Sequence, residues 1–304
     1  MYKPLVSVIL PTFNRASTLP RAIDSVLTQT YANLELIIVD DGSTDNTHEL
    51  LKKYQKVDKR VKVIYNKQNL GAPLSRNKGI KASNGDYIAF QDSDDEWLKE
   101  KLIKEMSVFS NFPKVGLVYS LPVSNKKRIN LFNFNKTRIF SSTEIQQKIL
   151  YINTINIHVI VKKQLLIKAG LFDIELPRFQ DWELWIRLSK LTSFACTNQK
   201  MFISYLSYDG ISTSGLKKYI YATEYILSKH KLLFLAYPKA YSKRLLLLGD
   251  SYLRQGKSKR GLQLINNSVR IYITIQNLGI YIFIKLFGIK IYLKFSFPFI
   301  QYSI

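Results

Sequence analysis

The chain has 304 residues, of which 46% are hydrophobic and 22% charged, so its composition is that of a folded protein with room for one large domain or a domain with an appendage. Its 45 Lys and Arg outnumber its 22 Asp and Glu, for a net charge of +23, which predicts an anionic partner such as nucleic acid, an acidic membrane surface or a phosphorylated substrate. Cys196 is the single cysteine, which excludes an intrachain disulfide framework and a multi-cysteine metal site and fits a reducing compartment such as a cytoplasm.

Short apolar runs and helical patterns alternate through about residue 100. The apolar runs are "VSVILPTFN", "LELIIVDDGS", "VKVIYN" and "YIAFQDSDD". The helical patterns between them are "RAIDSVLTQ", "THELLKKYQK" and "APLSRNKGIKAS". Because two-sided apolar runs are typical of buried parallel strands, this alternation predicts a doubly wound α/β domain. The first run begins directly after the N-terminal residues, so we expect no signal peptide.

The rest of the chain is less regular at first and then wholly helical. Two further strands are predicted at "GLVYS" and "INIHVIV", and helices at "STEIQQKILY", "KKQLLIKAG" and "DWELWIRLSKL". From about residue 217 the pattern is helical and includes a hairpin that turns near Gly256. We therefore predict one domain over residues 1–215 and a helical, basic region over residues 216–304.

The C-terminal tail, "IYITIQNLGIYIFIKLFGIKIYLKFSFPFI", is aromatic and β-branched with lysines inserted. Lys285, Lys290 and Lys294 break the long apolar run that a membrane span needs, and we expect Gly279 and Gly288 to interrupt any helix. Basic residues among Tyr, Phe and Ile favour an interfacial segment on an anionic leaflet. The alternative is a tail that packs on the domain before it or on a second subunit.

Polar and acidic side chains follow three of the predicted strands. They are Thr12 and Asn14 after the first strand, Asp40 and Asp41 after the second, and Asp92, Asp94 and Asp95 after the fourth. If the strands are parallel and adjacent, these groups meet at one edge of the sheet, where ligands bind. Carboxylates that share an edge repel one another unless a cation is present, and a set of hard oxygen ligands favours Mg²⁺ or Mn²⁺ with a diphosphate. Asp-Gly-Ser alone is also an ordinary turn and helix cap, and Asp-x-Asp alone is often a solvated loop; the joint pattern favours the metal site.

Five separated motifs resemble those of family 2 glycosyltransferases, which have the GT-A fold. The motifs are "VSVILPTFNR", "ELIIVDDGSTDNT", "NLGAPLSRNKGI", "GDYIAFQDSDDEW" and "GLFD" followed by "FQDWELWIRL". They cover residues 5 to about 190 in the family's order and spacing. The resemblance implies a Rossmann-like, mostly parallel sheet flanked by helices, with a helical C-terminal extension. It also divides the domain into a nucleotide-binding half to about residue 120 and an acceptor half over about 121–215.

The resemblance assigns a role to each matching position. The nucleotide sugar would be bound by Pro11, Thr12, Asn14, Asp40, Asp41, Gly71, Arg76, Asp92 and Ser93. Asp40 would accept a hydrogen bond from the uracil ring, and Arg76 would lie over the nucleotide. Asp94 would bind the metal directly, with Asp92 on the ribose or on the metal's waters.

The second acidic site of the family corresponds to Gln180-Asp181-Trp182-Glu183, where Gln180 replaces the usual first acid. Asp181 keeps the position of the catalytic base, so the resemblance implies a single displacement with inversion at the anomeric carbon. His158 and Trp182 are candidate acceptor contacts, although a lone His on a strand and a Trp on a helix are more often packed in a core.

The implied activity is transfer of a sugar, most often from a uridine diphosphate donor, to a glycan or lipid-linked acceptor in bacterial surface-polysaccharide synthesis. The expected partners are this donor, the acceptor and an anionic membrane surface, with an oligomer left open and the inner face of the cytoplasmic membrane as the location. Three alternatives are a nucleic-acid-binding protein, a glycoside hydrolase with two carboxylates, and an inactive protein of the same fold. The acidic motifs argue against nucleic acid, because carboxylates without a metal repel phosphate. We expect the sugar ring to contact loops between residues 121 and 160.

Overall fold

The computed structural model describes residues 3–123, 136–205 and 215–295. Part of the predicted sugar-ring loops, residues 124–135, and the last residues of the tail, 296–304, lie outside the described residues. The strands are β1 (Val6–Thr12), β2 (Leu34–Asp40), β3 (Val61–Tyr65), β4 (Tyr87–Phe90), β5 (Glu96–Trp97), β6 (Val115–Val123), β7 (Arg138–Phe140), β8 (Val159–Lys162) and β9 (Ser193–Ile203). The helices are α1 (Leu19–Leu27), α2 (Thr47–Val57), α3 (Ala72–Ala82), α4 (Lys101–Asn111), α5 (Ser142–Tyr151), α6 (Lys163–Ala169), α7 (Gln180–Ser189), α8 (Leu216–Lys229), α9 (Lys231–Ala236), α10 (Pro238–Arg254), α11 (Ser258–Ile271) and α12 (Ile275–Phe295).

The described strands form one mixed sheet in the order β3-β2-β1-β4-β8-β6-β9-β5, with β7 paired to β9. The first four strands in this order are parallel. β8 enters antiparallel between β4 and β6, and β6 and β9 are parallel. This confirms the prediction that the first, second and fourth strands are parallel neighbours, so their carboxyl ends lie at one edge of the sheet.

Alternate residues of the central strands face different helices. Val8 and Leu10 belong to the core cluster that includes residues of α1 and α4. Ile9, between them, faces Gly79 of α3 on the opposite side. Helices on both faces of the sheet account for strands that are apolar on both sides, as the doubly wound prediction requires.

The chain divides into two compact units. The first unit comprises Met1–Ile145, Ile155–Glu175 and Glu183–Ser207, and it contains the sheet. The second unit comprises Gln146–Thr154, Leu176–Trp182 and Tyr208–Ile304. The boundary passes through α7, whose first residues belong to the second unit.

The second unit contains helices α8 to α12, which agrees with the helical pattern predicted after residue 217. The predicted hairpin is formed by α10 and α11, and Gly256 between them has a φ of 78°, which glycine adopts without strain. Gly279 lies inside α12, so our expectation that it interrupts the tail helix was wrong. At Gly288 the backbone leaves the helical region with a φ of 81°, which confirms an interruption there.

α12 packs on neighbouring helices through part of its surface. Its residues Ile284 and Tyr292 are buried in a small core with residues of α10 and α11. The Tyr292 hydroxyl donates a hydrogen bond of 2.8 Å to Asp250. The described part of the tail therefore packs on other helices of its own unit, an arrangement that differs from both packing alternatives, the domain before it and a second subunit. Within the described residues, no helix has the length and the apolar content needed to span a membrane.

Gly79 allows α3 to approach β1 closely. A Cβ atom at this position would lie 2.5 Å from Cγ2 of Ile9 and 3.5 Å from Cγ2 of Val39. Ile9 is fully buried on a central strand, so its methyl group has no free space to enter. α3 carries Arg76, and the close packing of α3 on β1 therefore fixes the position of Arg76 relative to the sheet.

We expect Gly79→Ala to lower the free energy of unfolding by about 1–3 kcal/mol, because an extra methyl group overpacks the contact of α3 with β1. The matched control is Gly279→Ala, where no atom lies within 4 Å of the new Cβ; it should be neutral or stabilise α12 by up to about 1 kcal/mol. Urea denaturation of both variants and the wild type measures the difference. Equal stability of Gly79→Ala and wild type would show that α3 can shift away from the sheet.

Candidate functional site

Asp40 is the last residue of β2, and Asp41 follows it. Both are buried, but their carboxylates have different hydrogen-bond partners. Asp41 accepts three hydrogen bonds that hold the chain before α3: from Asn66 Nδ2 at 2.7 Å, from the Leu70 amide at 3.0 Å and from the Gly71 amide at 2.7 Å. Asp40 Oδ1 accepts one bond, from the Ser43 amide at 3.0 Å. Its Oδ2 has no hydrogen-bond partner among the described residues, so Asp40 can still accept a donor from a ligand.

The segments that follow β1 and β2 are joined by Asn14. Its amide donates to Ser43 Oγ at 2.9 Å, and its Oδ1 accepts the Thr44 amide at 2.8 Å. Asn14 has a φ of 51°, a left-handed conformation that Asn tolerates better than most residues. Pro11 and Thr12 pair in register with Val39 and Asp40.

The hydroxyl of Thr12 is buried and has no hydrogen-bond partner in the described part of the chain. A buried hydroxyl without a partner costs free energy, which is recovered when a ligand or a water supplies the missing bond. The carboxyl ends of β1 and β2 therefore offer two free acceptor or donor positions, on Thr12 and on Asp40.

Arg76 connects α3 to the acidic loop after β4. Its Nη2 donates to Asp92 Oδ1 at 2.8 Å, and its guanidinium lies 5.6 Å from the ring centre of Phe172. The neighbouring Asn77 bonds the Phe172 backbone twice, at 2.8 and 2.9 Å. Two of the five sequence motifs, "LSRNKG" and "GLFD", are thus in direct contact, which the sequence did not show.

Three of the four acids after β4 have partners within the chain. Asp92 pairs with Arg76, Asp95 with His158, and Glu96 accepts the Tyr205 hydroxyl at 2.9 Å. The bond to Glu96 also raises the pKa of Tyr205, with burial as the second cause. Asp94 is the exception: its backbone carbonyl accepts Arg21 Nη2 at 2.5 Å, but its half-buried carboxylate has no partner among the described residues.

Ser93, between the two aspartates of the Asp-x-Asp pair, is buried. Its carbonyl accepts the Thr18 hydroxyl at 3.1 Å. Arg21 and Thr18, both at the start of α1, therefore hold the loop through its backbone and leave the Asp94 side chain uncommitted.

His158 is 2% exposed, and both of its ring nitrogens have partners. Nε2 lies 2.7 Å from Asp95 Oδ2, and Nδ1 accepts the Trp97 indole N–H at 3.2 Å. The ring also packs against Phe202 at 4.2 Å. This burial speaks against the acceptor contact expected of His158, because an acceptor sugar could reach it only by breaking these bonds. Ligand atoms of Asp92, Asp95 and His158 lie within 4.8 Å of one another, a spacing that could hold a metal ion.

A buried ion pair lies behind His158. Lys101 Nζ and Glu105 Oε2 are 2.5 Å apart, and both side chains are fully buried. Burial outweighs their attraction: it lowers the pKa of Lys101 and raises the pKa of Glu105. Lys101 also donates to the His158 carbonyl at 3.2 Å, so the ion pair holds the backbone just before β8.

Asp181 lies in the first turn of α7, in the part of the helix that belongs to the second unit, and it is half-buried. All the predicted nucleotide and metal residues belong to the first unit. The positive end of the helix dipole favours a carboxylate at this place. Phe179, just before the helix, has a φ of 62°, a strained backbone for a bulky residue. Its ring packs edge-on against Trp182 at 5.6 Å and against Tyr219 at 5.5 Å.

Trp182 is 1% exposed and anchors this turn within the second unit. Its indole N–H donates to the Ile149 carbonyl at 2.7 Å, and the Arg244 guanidinium lies 4.2 Å from its ring centre. Its burial argues against the acceptor contact expected of Trp182 and for a role in positioning the start of α7. Nearby Arg178 is also buried, which lowers the pKa of its guanidinium, while Tyr219 and Asp181 oppose that shift. The sequence reasoning missed Arg178 and Arg244, since an isolated arginine carries no local pattern.

The sequence matches the profile described as "Glycosyl transferase family 2" over residues 7–171. It is 31% identical over 222 residues to WfgD of Escherichia coli, a UDP-Glc:alpha-D-GlcNAc-diphosphoundecaprenol beta-1,3-glucosyltransferase; the match covers 70% of this chain and 82% of WfgD. It is 47% identical over 105 residues to TuaG of Bacillus subtilis, whose name assigns it to teichuronic acid biosynthesis. That match covers 34% of this chain and spans only 42% of TuaG's own length.

Two solved structures share the fold. The structure of S. aureus TarS residues 1–349 in complex with UDP-GlcNAc superposes with a TM-score of 0.70 at 17% identity, over 94% of this chain and 89% of that one. The mannosyltransferase PcManGT from Pyrobaculum calidifontis, in complex with GDP-Man and Mn²⁺, superposes with a TM-score of 0.65 at 15% identity, over 99% and 84% of the two chains. These likenesses confirm the predicted GT-A fold.

Substitutions at Asp40 and at Asp41 should lower the free energy of unfolding by different amounts. We expect Asp41→Asn to lower the free energy of unfolding by about 2–3 kcal/mol, because an amide cannot accept on both sides and leaves the Gly71 amide facing a donor. Asp40→Asn keeps an oxygen for the Ser43 amide and should cost about 1 kcal/mol or less. Denaturant unfolding of the two variants, side by side, measures this contrast. Equal losses would mean that Asp41 does not hold the start of α3.

Proposed function

The chain belongs to glycosyl transferase family 2, and we propose that it is an inverting transferase that moves a sugar from a nucleotide diphosphate to an acceptor hydroxyl in surface-polysaccharide synthesis. One observation carries the proposal. The Thr12 hydroxyl, Oδ2 of Asp40 and the carboxylate of Asp94 lack partners among the described residues, and they follow three neighbouring parallel strands. These are the groups that a nucleotide and its diphosphate would complete.

We propose a uridine diphosphate sugar as the donor. Asp40 would accept the imide N–H of the uracil, since its free oxygen lies at the end of a central strand. The names of relatives support this choice: WfgD is named for UDP-Glc, and TarS was solved with UDP-GlcNAc. The family match also argues against the nucleic-acid-binding and glycoside hydrolase alternatives.

The residues after β4 fit a divalent cation. Asp94 offers an uncommitted carboxylate, and Asp92 has one oxygen beyond its bond to Arg76. Hard carboxylate oxygens with few protein ligands are the usual setting for Mg²⁺ or Mn²⁺ beside a diphosphate, and PcManGT was solved with Mn²⁺. When bound, the cation would neutralise the charge that grows on the leaving diphosphate.

Asp181 would act as the general base. As the acceptor oxygen forms its bond to C1 of the donor sugar, the C1–O bond to the diphosphate breaks and its electron pair leaves with the diphosphate. The proton of the acceptor hydroxyl passes to the Asp181 carboxylate. Attack from the face opposite the leaving group inverts the anomeric carbon, and no covalent enzyme intermediate forms.

For the acceptor, we propose a lipid-linked glycan at an anionic membrane surface, on the inner face of the cytoplasmic membrane. WfgD is named for a diphosphoundecaprenol acceptor. The described part of α12 presents the matching surface, with Leu286 71% exposed and Phe295 70% exposed. Lys285, Lys290 and Lys294 lie exposed among these apolar side chains. Exposed apolar side chains beside exposed lysines provide the apolar contact and the positive charge that an anionic leaflet would bind.

We expect Asp94→Asn and Asp181→Asn each to reduce turnover by at least about a hundredfold, the first through loss of a cation ligand and the second through loss of the base. A thermal-shift screen of nucleotide sugars with and without Mn²⁺ identifies the donor, because ligand bound to the folded state raises Tm. Release of nucleoside diphosphate from that donor then measures turnover. Glu49→Gln, an exposed acid on α2, is the control. Full turnover by folded Asp181→Asn would remove Asp181 from the mechanism.

Replacing Lys285, Lys290 and Lys294 by Glu should reduce binding to vesicles rich in phosphatidylglycerol by at least about a hundredfold, because each lysine near an anionic surface contributes about 1 kcal/mol. The control replaces Lys53, Lys56 and Lys59, exposed residues on or just after α2, with the same change in net charge. Flotation measures the bound fraction. Equal flotation of both triple variants, or a wild type that forms dimers and does not float, would contradict the membrane proposal.

A further inference from the structure

We infer that His158 is a positioning residue for the donor site: its Nε2–H group holds Asp95 and thereby fixes the loop that carries Asp92 and Asp94. This inference rests on the proposed function of that loop. From the sequence, His158 was a candidate acceptor contact, which is a different role.

The hydrogen bonds define which nitrogen of His158 carries the proton. An indole N–H can only donate, so the contact from Trp97 Nε1 at 3.2 Å makes Nδ1 the acceptor. A neutral imidazole with an unprotonated Nδ1 carries its proton on Nε2. That proton points at Asp95 Oδ2, 2.7 Å away. His158 therefore donates to Asp95.

The same protonation argues against His158 and Asp95 as metal ligands, although their spacing with Asp92 would allow an ion. A nitrogen that carries a proton has no lone pair for a cation. Both oxygens of Asp95 are also engaged, because the second accepts the Tyr205 amide at 2.9 Å. A cation at this edge is therefore left to Asp92 and Asp94, the pair that the sequence predicted.

Asp95 joins the acidic loop to two distant segments of the first unit and to the residue that follows β4. Its side chain bonds His158, directly before β8, and the backbone of Tyr205, just after β9. Its amide donates to the Asp92 carbonyl at 3.2 Å, which closes the turn that holds Asp94. Its carbonyl accepts Gln91 Nε2 at 2.9 Å. Movement of Asp95 would thus shift both proposed cation ligands.

His158 is itself held rigidly. Trp97 fixes the ring from one side, Phe202 packs on its face, and Lys101 bonds its carbonyl. A buried imidazole that cannot rotate can hold the Asp95 carboxylate in one orientation through its hydrogen bond. Residues that hydrogen-bond to the ligands of a metal orient those ligands in the same way.

The first experiment tests the tautomer and needs no metal or donor. In ¹⁵N-histidine spectra of the full chain at neutral pH, His158, assigned by comparison with His158→Gln, should show a protonated Nε2 and an unprotonated Nδ1. A proton on Nδ1, or on both nitrogens, would overturn the inference.

The second experiment measures Mn²⁺ affinity by electron paramagnetic resonance in the presence of UDP. His158→Phe keeps the ring volume but removes the donor, and it should weaken Mn²⁺ binding by about tenfold or more. His158→Gln keeps an N–H group at the position of Nε2 and should restore most of the affinity. Met106→Ala, a core change on α4 in the same unit, controls for general loss of stability and should bind Mn²⁺ as the wild type does.

These outcomes separate the inference from the proposed function. Wild-type affinity in His158→Phe, or equal weakening in the Phe, Gln and Met106 variants, overturns the positioning role. A wild type that binds no Mn²⁺ in the presence of UDP counts against the proposed function instead, and the tautomer spectrum then decides on the hydrogen bond to Asp95.

Discussion

Carboxylates that lie at one edge of a parallel sheet repel one another. In the first unit, hydrogen bonds and ion pairs from other segments of the chain relieve this repulsion, and they determine how those segments are arranged around the sheet edge. Each acid that has a structural task is matched to a donor: Asp92 to Arg76, Asp95 to His158 and the Tyr205 amide, and Asp41 to the chain before α3. Asp94 is left without such a match among the described residues. A site that must accept and release a cation needs at least one uncommitted carboxylate, because a fully paired set would bind the cation only by breaking its own bonds. The pairing of the neighbours is therefore what makes Asp94 available.

Some of the donors come from distant parts of the sequence, and they connect the loop after β4 to segments much later in the chain. His158 is 63 residues and Tyr205 110 residues from Asp95. β8 is inserted directly between β4 and β6, so a segment after residue 120 completes the loop after β4. The halves suggested by the resemblance, to about 120 and from about 121, thus describe an order along the chain. They do not describe two separately assembled structures, since the loop with Asp92 and Asp94 is held from both sides.

Whether an interaction can be predicted from the sequence depends on how far apart its partners lie along the chain. Apolar runs and strand-end acids are local patterns, so the parallel order of β1, β2 and β4 and the gathering of Asp40, Asp92 and Asp94 at one edge could be predicted. His158 and Trp182 could not be assigned, because whether such a side chain faces a ligand or a core depends on partners far along the chain. α4 was missed because Lys101 and Glu105, which are buried as a pair, interrupt its apolar residues. β9 was missed because the polar run Thr197–Lys200 interrupts its apolar residues. Gly279 was misjudged, because glycine permits a break in a helix but does not require one.

Under the proposed function, the net charge of +23 and the acidic sheet edge would serve two different anions. Fifteen Lys or Arg follow residue 216 with only Glu224 and Asp250 to oppose them, and both acids are engaged within the second unit, with Tyr252 and with Arg254 and Tyr292. Most of the positive charge in that unit is therefore not neutralised internally, and such charge favours an extended anionic surface. In the proposed reaction a diphosphate is bound and then released at each turnover, which a cation on a few carboxylates would allow. Lysines spread along a helix, by contrast, suit a partner that stays in place, and in the membrane proposal their position within the apolar run of α12 would let that helix lie at an interface without crossing it.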